Sequence, residues 1–104
     1  MDGFTIIAEP TRRAILDRLR ESESDVGALV STLDLPQPLV SKHLRVLREA
    51  GLVEAVVAGK RRVYRLADRP LLDVLEWVTP YARVWTDSFG RLAAALDNLD
   101  REGR

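Results

Sequence analysis

Apolar residues recur at helical spacing along most of the chain and change to a strand-like pattern in one stretch. Phe4, Ile6, Ile7 and Ala8 predict a short apolar helix closed by Glu9-Pro10, with Pro10 suited to the first turn of the next helix. That second helix buries Ile15, Leu16 and Leu19 and runs out in the polar stretch Glu21-Ser22-Glu23-Ser24. Ser24 or Asp25 can cap a third helix, whose Val26, Leu29, Val30 and Leu33 follow the i, i+3, i+4, i+7 pattern. Asp34-Leu35-Pro36 forms a tight turn. A fourth helix opens at Gln37-Pro38, buries Val40, Leu44 and Leu47, and stops at Gly51.

Beyond Gly51 the pattern changes. Val53, Val56 and Val57, then Val63, Tyr64 and Leu66, flank Ala58-Gly59-Lys60 and predict a β-hairpin with a short tip. Pro70 then opens a helix carrying Leu71, Val74, Leu75 and Val78, and Thr79-Pro80 predicts a break and a new helix. The last helix bears Tyr81, Trp85, Phe89, Leu92, Leu96 and Leu99 on one stripe. The expected order is α-α-α-α-β-β-α-α, mainly helical with a small β-hairpin. The third and fourth helices, joined by a short turn, have helix-turn-helix spacing, and the hairpin after them makes the arrangement a winged helix. One domain over residues 1–104 accommodates this: helix-turn-helix 25–50, wing 52–66, and dimerisation helices 1–20 and 70–100.

Composition narrows the chemistry. The 104 residues are 46% hydrophobic and 31% charged, a balance that supports a packed core. The absence of cysteine excludes disulfides, thiolate metal sites and cysteine nucleophiles. With one histidine, His43, no zinc-finger or HExxH spacing exists, so neither metal nor cofactor is expected. Ser41 lies two helical positions from His43 and points away from it, and the six glycines are isolated, so no nucleophile–base pair or phosphate loop forms. The chain is expected to be no enzyme. No apolar run approaches the roughly 20 residues of a membrane helix, and no signal peptide precedes the first helix, so a cytoplasmic, nucleoid-associated protein is expected.

A formal net charge of zero conceals a partition. Residues 38–66 hold Lys42, Arg45, Arg48, Lys60, Arg61, Arg62 and Arg65 against Glu49 and Glu54, a local excess of +5 balanced by −5 elsewhere. Such a field is the footprint of a polyanion partner. With Val40 in the core, Pro38, Ser41, Lys42, Arg45 and Glu49 fall on the opposite face of the fourth helix, with Gln37 and Leu39 at its start. In a helix-turn-helix this face enters the major groove of double-stranded DNA. Gln and Arg can read adenine and guanine bidentately, Ser can bond either base, and Leu can touch a thymine methyl. Lys60, Arg61 and Arg62 sit together at the hairpin tip, where phosphates or a narrow minor groove would relieve their repulsion.

Three stretches then carry a resemblance: Ala8-Glu9-Pro10-Thr11-Arg12-Arg13-Ala14-Ile15-Leu16, the run from Gln37 to Val53, and Gly59-Lys60-Arg61-Arg62-Val63-Tyr64-Arg65-Leu66. Together they resemble the ArsR-type winged-helix repressors of bacteria over nearly the whole chain. The resemblance implies a homodimer bound to an inverted-repeat operator, often its own, and released by an effector. It places Gln37, Ser41, Lys42, His43 and Arg45 at recognition-helix positions. Leu39 stands where the family usually has Thr or Ser, and His43 faces the Val40/Leu44 side, which suits packing or phosphate contact better than base reading. Where metal-sensing members carry Cys-Val-Cys, this chain has Asp25-Val26-Gly27, and the last helix has no histidine. That matches the family's non-metal branch and leaves the effector open.

The terminal helices are expected to form the dimer seam through Phe4, Ile7, Trp77, Tyr81, Trp85, Phe89, Leu92, Leu96 and Leu99. A small-molecule pocket between those helices is a second use for the aromatic stripe. The alternative to DNA binding is a winged-helix module that binds protein only, which would have no reason to keep cations on both helix and wing.

Overall fold

The computed structural model describes residues 1–68 and 71–102, and divides into two compact units, Met1–Leu71 and Leu72–Arg104. The elements are α1 (Gly3–Ala8), α2 (Pro10–Glu21), β1 (Ser24–Asp25), α3 (Val26–Leu33), α4 (Gln37–Glu49), β2 (Val53–Ala58), β3 (Arg61–Leu66) and α5 (Leu72–Glu102). The winged-helix arrangement expected from the sequence is present, with two differences in detail.

In the first unit, Ile15 and Leu19 of α2, Leu29 of α3, and Val40, Leu44 and Leu47 of α4 meet Ile6, Leu52, Val53 and Tyr64 in one core. Each helix contributes residues three or four apart, the spacing that lines up one face. Their ends are set locally. Asp2 Oδ1 accepts the Thr5 N–H at 2.8 Å to cap α1, and Asp25 Oδ1 accepts the Ala28 N–H at 2.8 Å to cap α3. Asp34 closes α3 in the left-handed region at φ 53°, conformational space that Asp tolerates better than most residues. At the end of α4, Gly51 takes φ 80°, its N–H bonds the Arg48 carbonyl at 2.9 Å, and the Leu52 N–H reaches the Leu47 carbonyl at 3.0 Å. This is a Schellman cap, and it turns the chain straight into β2.

The first difference is β1. Ser24 and Asp25 were expected only as cap candidates, yet they pair antiparallel with Tyr64 and Val63, giving a three-stranded sheet ordered β1-β3-β2. The two roles are compatible because an N-cap residue already has extended backbone angles, here φ −82° and ψ 172°. The wing itself pairs from Val53↔Leu66 to Ala58↔Arg61, with Gly59-Lys60 as a two-residue tip and Gly59 at φ 65°.

The second difference corrects the expected break at Thr79-Pro80: α5 runs unbroken through Pro80 for 31 residues. Pro80 cannot donate to the carbonyl of Glu76, which would normally end or kink the helix. Thr79, expected as the cap of a new helix, instead turns its hydroxyl back to the Leu75 carbonyl at 2.5 Å, the i−4 bond that keeps Thr inside a helix. The sequence therefore yields one final helix where two were expected, and the helix start expected at Pro70 lies outside the described residues. Along α5, Trp77 and Tyr81 approach with ring centroids 5.1 Å apart, and Tyr81 stacks on Trp85 at 5.4 Å.

Candidate nucleic-acid interface

α4 separates its residues cleanly between two faces. Val40, His43, Leu44 and Leu47 are buried, while Gln37, Pro38, Ser41, Lys42, Arg45, Arg48 and Glu49 are exposed and Leu39 is half-buried. The helix-turn-helix thus places Gln37, Pro38, Ser41, Lys42 and Arg45 on one open face. Ser41, Arg45, Arg48 and Glu49 also line, with Tyr64 of β3, a polar depression of about 360 Å³. Lys60, Arg61 and Arg62 are all exposed at and beside the wing tip.

His43 stands apart from that face. Its side is 6% exposed, and Nδ1 accepts a hydrogen bond at 3.2 Å from Nε of Arg12 on α2. An Nδ1 that accepts leaves the proton of the neutral ring on Nε2. The pKa is held below its ordinary 6.5, first by burial, then by the positive charge of Arg12 and that of Lys42, with Glu9 opposing. Arg12 also donates to the Ile6 carbonyl at 3.4 Å, so one guanidinium ties α1, α2 and the recognition helix together. The packing orientation inferred from the Val40/Leu44 side is the one observed. Arg12 was read only as part of a motif; its bond to a residue 31 positions away leaves no trace in local spacing.

Electrostatics on the open side are partly neutralised from within. Arg45 Nε meets Glu49 Oε1 at 3.0 Å, one turn along α4, and Arg65 Nε meets Glu54 Oε1 at 2.5 Å, directly across the hairpin. Arg61 reaches Asp25 Oδ2 through Nε at 3.0 Å and Nη2 at 2.5 Å. The Asp25 carboxyl is held below its ordinary value, chiefly by the capping Ala28 N–H and next by Arg61. Asp25 lies outside residues 38–66 in sequence, yet its carboxylate joins Glu49 and Glu54 in offsetting the basic region.

No group of three or more His, Cys, Asp or Glu side chains converges in a metal-holding cluster among the described residues. Within Asp25-Val26-Gly27, Asp25 serves as the cap of α3 and as the ion-pair partner of Arg61. No helix among the described residues is long and apolar enough to cross a membrane.

Against this geometry, the comparisons with known proteins agree with one another. Residues 9–55, spanning α2 to the start of the wing, match the family described as bacterial regulatory protein, arsR family. The chain is 46% identical over 69 residues to the HTH-type transcriptional repressor SmtB of Mycobacterium tuberculosis, covering 66% of this chain but only 51% of that one, so it spans about half the length of this relative. To the HTH-type transcriptional regulator Rv2034 of the same organism it is 41% identical over 96 residues, covering 92% of this chain and 87% of the relative. Its structure is similar to the crystal structure of M. tuberculosis Rv0081, with a TM-score of 0.63 and 34% identity over 83% of this chain and 88% of that one. Sharing a helix-turn-helix match and near full-length similarity with named transcriptional regulators, the chain belongs to the ArsR family of bacterial regulatory proteins.

Proposed function

We propose that this protein is a homodimeric transcriptional repressor that binds an inverted-repeat DNA operator. The observation that carries the reading is the open face of α4, with Gln37, Pro38, Ser41, Lys42 and Arg45 exposed opposite a buried row, and the basic wing tip that follows it. Gln37, Ser41 and Arg45 are the base-edge readers in this reading, Leu39 supplies apolar contact, and Lys42 with Lys60 and Arg62 of the wing meets phosphate. His43 supports them from behind.

A homodimer supplies the second half-site. Trp85, Phe89, Leu92, Leu96 and Leu99 lie 42–65% exposed along α5, an apolar stripe of the kind that marks an association surface. Pairing through α5, with Phe4 and Ile7 of α1 contributing, would set two recognition helices about one DNA turn (~34 Å) apart. Localisation on the nucleoid follows from the same reading.

The test is Arg45→Glu, measured by gel shift on DNA from upstream of the protein's own gene. Loss of a bidentate base contact costs about 1–3 kcal/mol, and a new anion beside phosphate adds to that, so operator binding should be abolished while the chain stays folded. Its melting temperature should be lowered only by the exchange of the exposed Arg45–Glu49 pair for two like charges. Unchanged affinity would remove α4 from the groove. Absence of any binding by the parent chain to this DNA or to mixed-sequence DNA would favour the protein-only module.

A further inference from the structure

Three cations of the basic region are held by carboxylates, and one of these pairs differs in kind from the others. Arg45–Glu49 lies within one helix and Arg65–Glu54 across one hairpin, both on open surface. Such pairs contribute little and part easily. Asp25 is 36 residues from Arg61, and its side chain is the least exposed of these carboxylates at 29%. It is also fixed before it meets the arginine. Oδ1 accepts the Ala28 N–H as the cap of α3, and its backbone is registered against Val63 of β3. Oδ2 then receives both Nε and Nη2 of Arg61. A carboxylate anchored at its backbone and at one oxygen loses little further freedom when its other oxygen takes two N–H groups of one guanidinium in charge-assisted hydrogen bonds.

Strand geometry adds a second constraint. Arg61 and Arg62 are successive residues of β3, so their side chains leave opposite faces of the sheet. A single duplex lying on one face of the wing meets one of them. Arg62 and the tip residue Lys60 are exposed and make no ion pair among the described residues, whereas Arg61 is directed to the start of α3. The three adjacent cations that the sequence groups together are thereby separated into two kinds.

We propose that Asp25 is a positioning residue for DNA binding, which holds Arg61 against α3 and away from phosphate so that the wing engages the duplex through Lys60 and Arg62. The pair joins the first helix of the helix-turn-helix to the wing and sets how the tip is presented. It also limits the number of sequence-independent phosphate contacts, the part of affinity that does not distinguish an operator from other DNA. This inference rests on the DNA-binding reading above.

The experiment uses the full chain and a mixed-sequence duplex, with affinity measured across a series of salt concentrations. Asp25→Asn keeps a capping side chain and removes the charge that holds Arg61. A freed arginine that reaches phosphate steepens the log–log salt slope by about 0.9 per protomer, roughly an eightfold gain at 0.1 M relative to 1 M salt. Arg61→Gln, a change on an exposed side chain, should leave the slope of the parent protein unchanged, while Lys60→Gln and Arg62→Gln each flatten it by about 0.9 per protomer. A slope for Asp25→Asn equal to that of the parent, or a flattening by Arg61→Gln as large as that by Lys60→Gln, would overturn the proposal. A parent chain with no salt-dependent binding would overturn the DNA-binding reading itself.

Discussion

At the scale of single residues, His43 shows how one side chain can belong to the recognition helix and yet face away from DNA. Its ring is buried and accepts a hydrogen bond through Nδ1 from Arg12. Protonation would place an N–H against that guanidinium and two positive charges in contact. Because burial and Arg12 hold the folded-state pKa below the ordinary 6.5, the folded protein binds fewer protons than the unfolded chain in that region. The stability that His43 contributes is therefore present above pH 6.5 and lost as pH falls through its folded value. Melting temperatures measured between about pH 7 and pH 5, above the range in which the lowered Asp2 and Asp25 titrate, should fall with acid in the parent and fall less in His43→Gln. Equal slopes in the two proteins would mean that the ring carries no such linkage. The orientation of His43 toward the core was legible from its position beside Val40 and Leu44; the Arg12 bond was not, since nothing at i±3 or i±4 encodes it.

At the scale of elements, the recognition helix is bounded by chemistry written next to it. Pro36 precedes α4, Pro38 sits in its first turn, and Gly51 ends it at φ 80°, where a Cβ is disfavoured. Gly51→Ala should cost roughly 1–2 kcal/mol, the penalty of the left-handed region, and lower the melting temperature by about 4–8 °C per kcal/mol in a chain of this size. Gly51→Asn should recover part of the loss, because Asn visits this region more readily. A melting temperature for Gly51→Ala at or above that of the parent would show that the turn relaxes to another conformation. At α5 the same kind of local signal misled. Thr79-Pro80 has the form of a helix start, but the Thr79 hydroxyl bonds backward to Leu75 and the helix continues.

For the whole molecule, the consequence that matters is the apolar stripe on α5. Charge at its middle should oppose any pairing of two copies. Leu92→Arg is expected to sediment as a monomer or to aggregate, with DNA affinity reduced by far more than the change at a single contact, because the two half-sites of the proposed dimer can no longer be bound together. Sedimentation equilibrium checks the first outcome and fluorescence anisotropy on operator DNA the second. A fully dimeric Leu92→Arg protein would place the seam elsewhere. The charge partition also acts at this scale. A neutral chain can present a positive field to a duplex because residues 38–66 hold seven basic against two acidic side chains while the rest of the chain is acidic on balance, and the ion pairs temper that field without cancelling it.

Periodicity, caps and contiguous motifs by themselves determined the helices of the first unit, the hairpin, the helix-turn-helix and the exposed face of α4. Each depends on residues within about four positions of one another or on turn residues at the ends, and such short-range relations survive in a linear string. Tertiary structure alone decided four further points: that Ser24–Asp25 is a strand, that Asp25 holds Arg61, that Arg12 holds His43, and that α5 continues through Pro80. Two are side-chain contacts across 31 and 36 residues, fixed by how helices and sheet pack and by no spacing along the chain. The strand depends on the return path of the wing, and the continuous helix on which of two available hydrogen bonds the Thr79 hydroxyl makes. In each case the residue type allowed more than one partner, and the fold selected the one that came within reach.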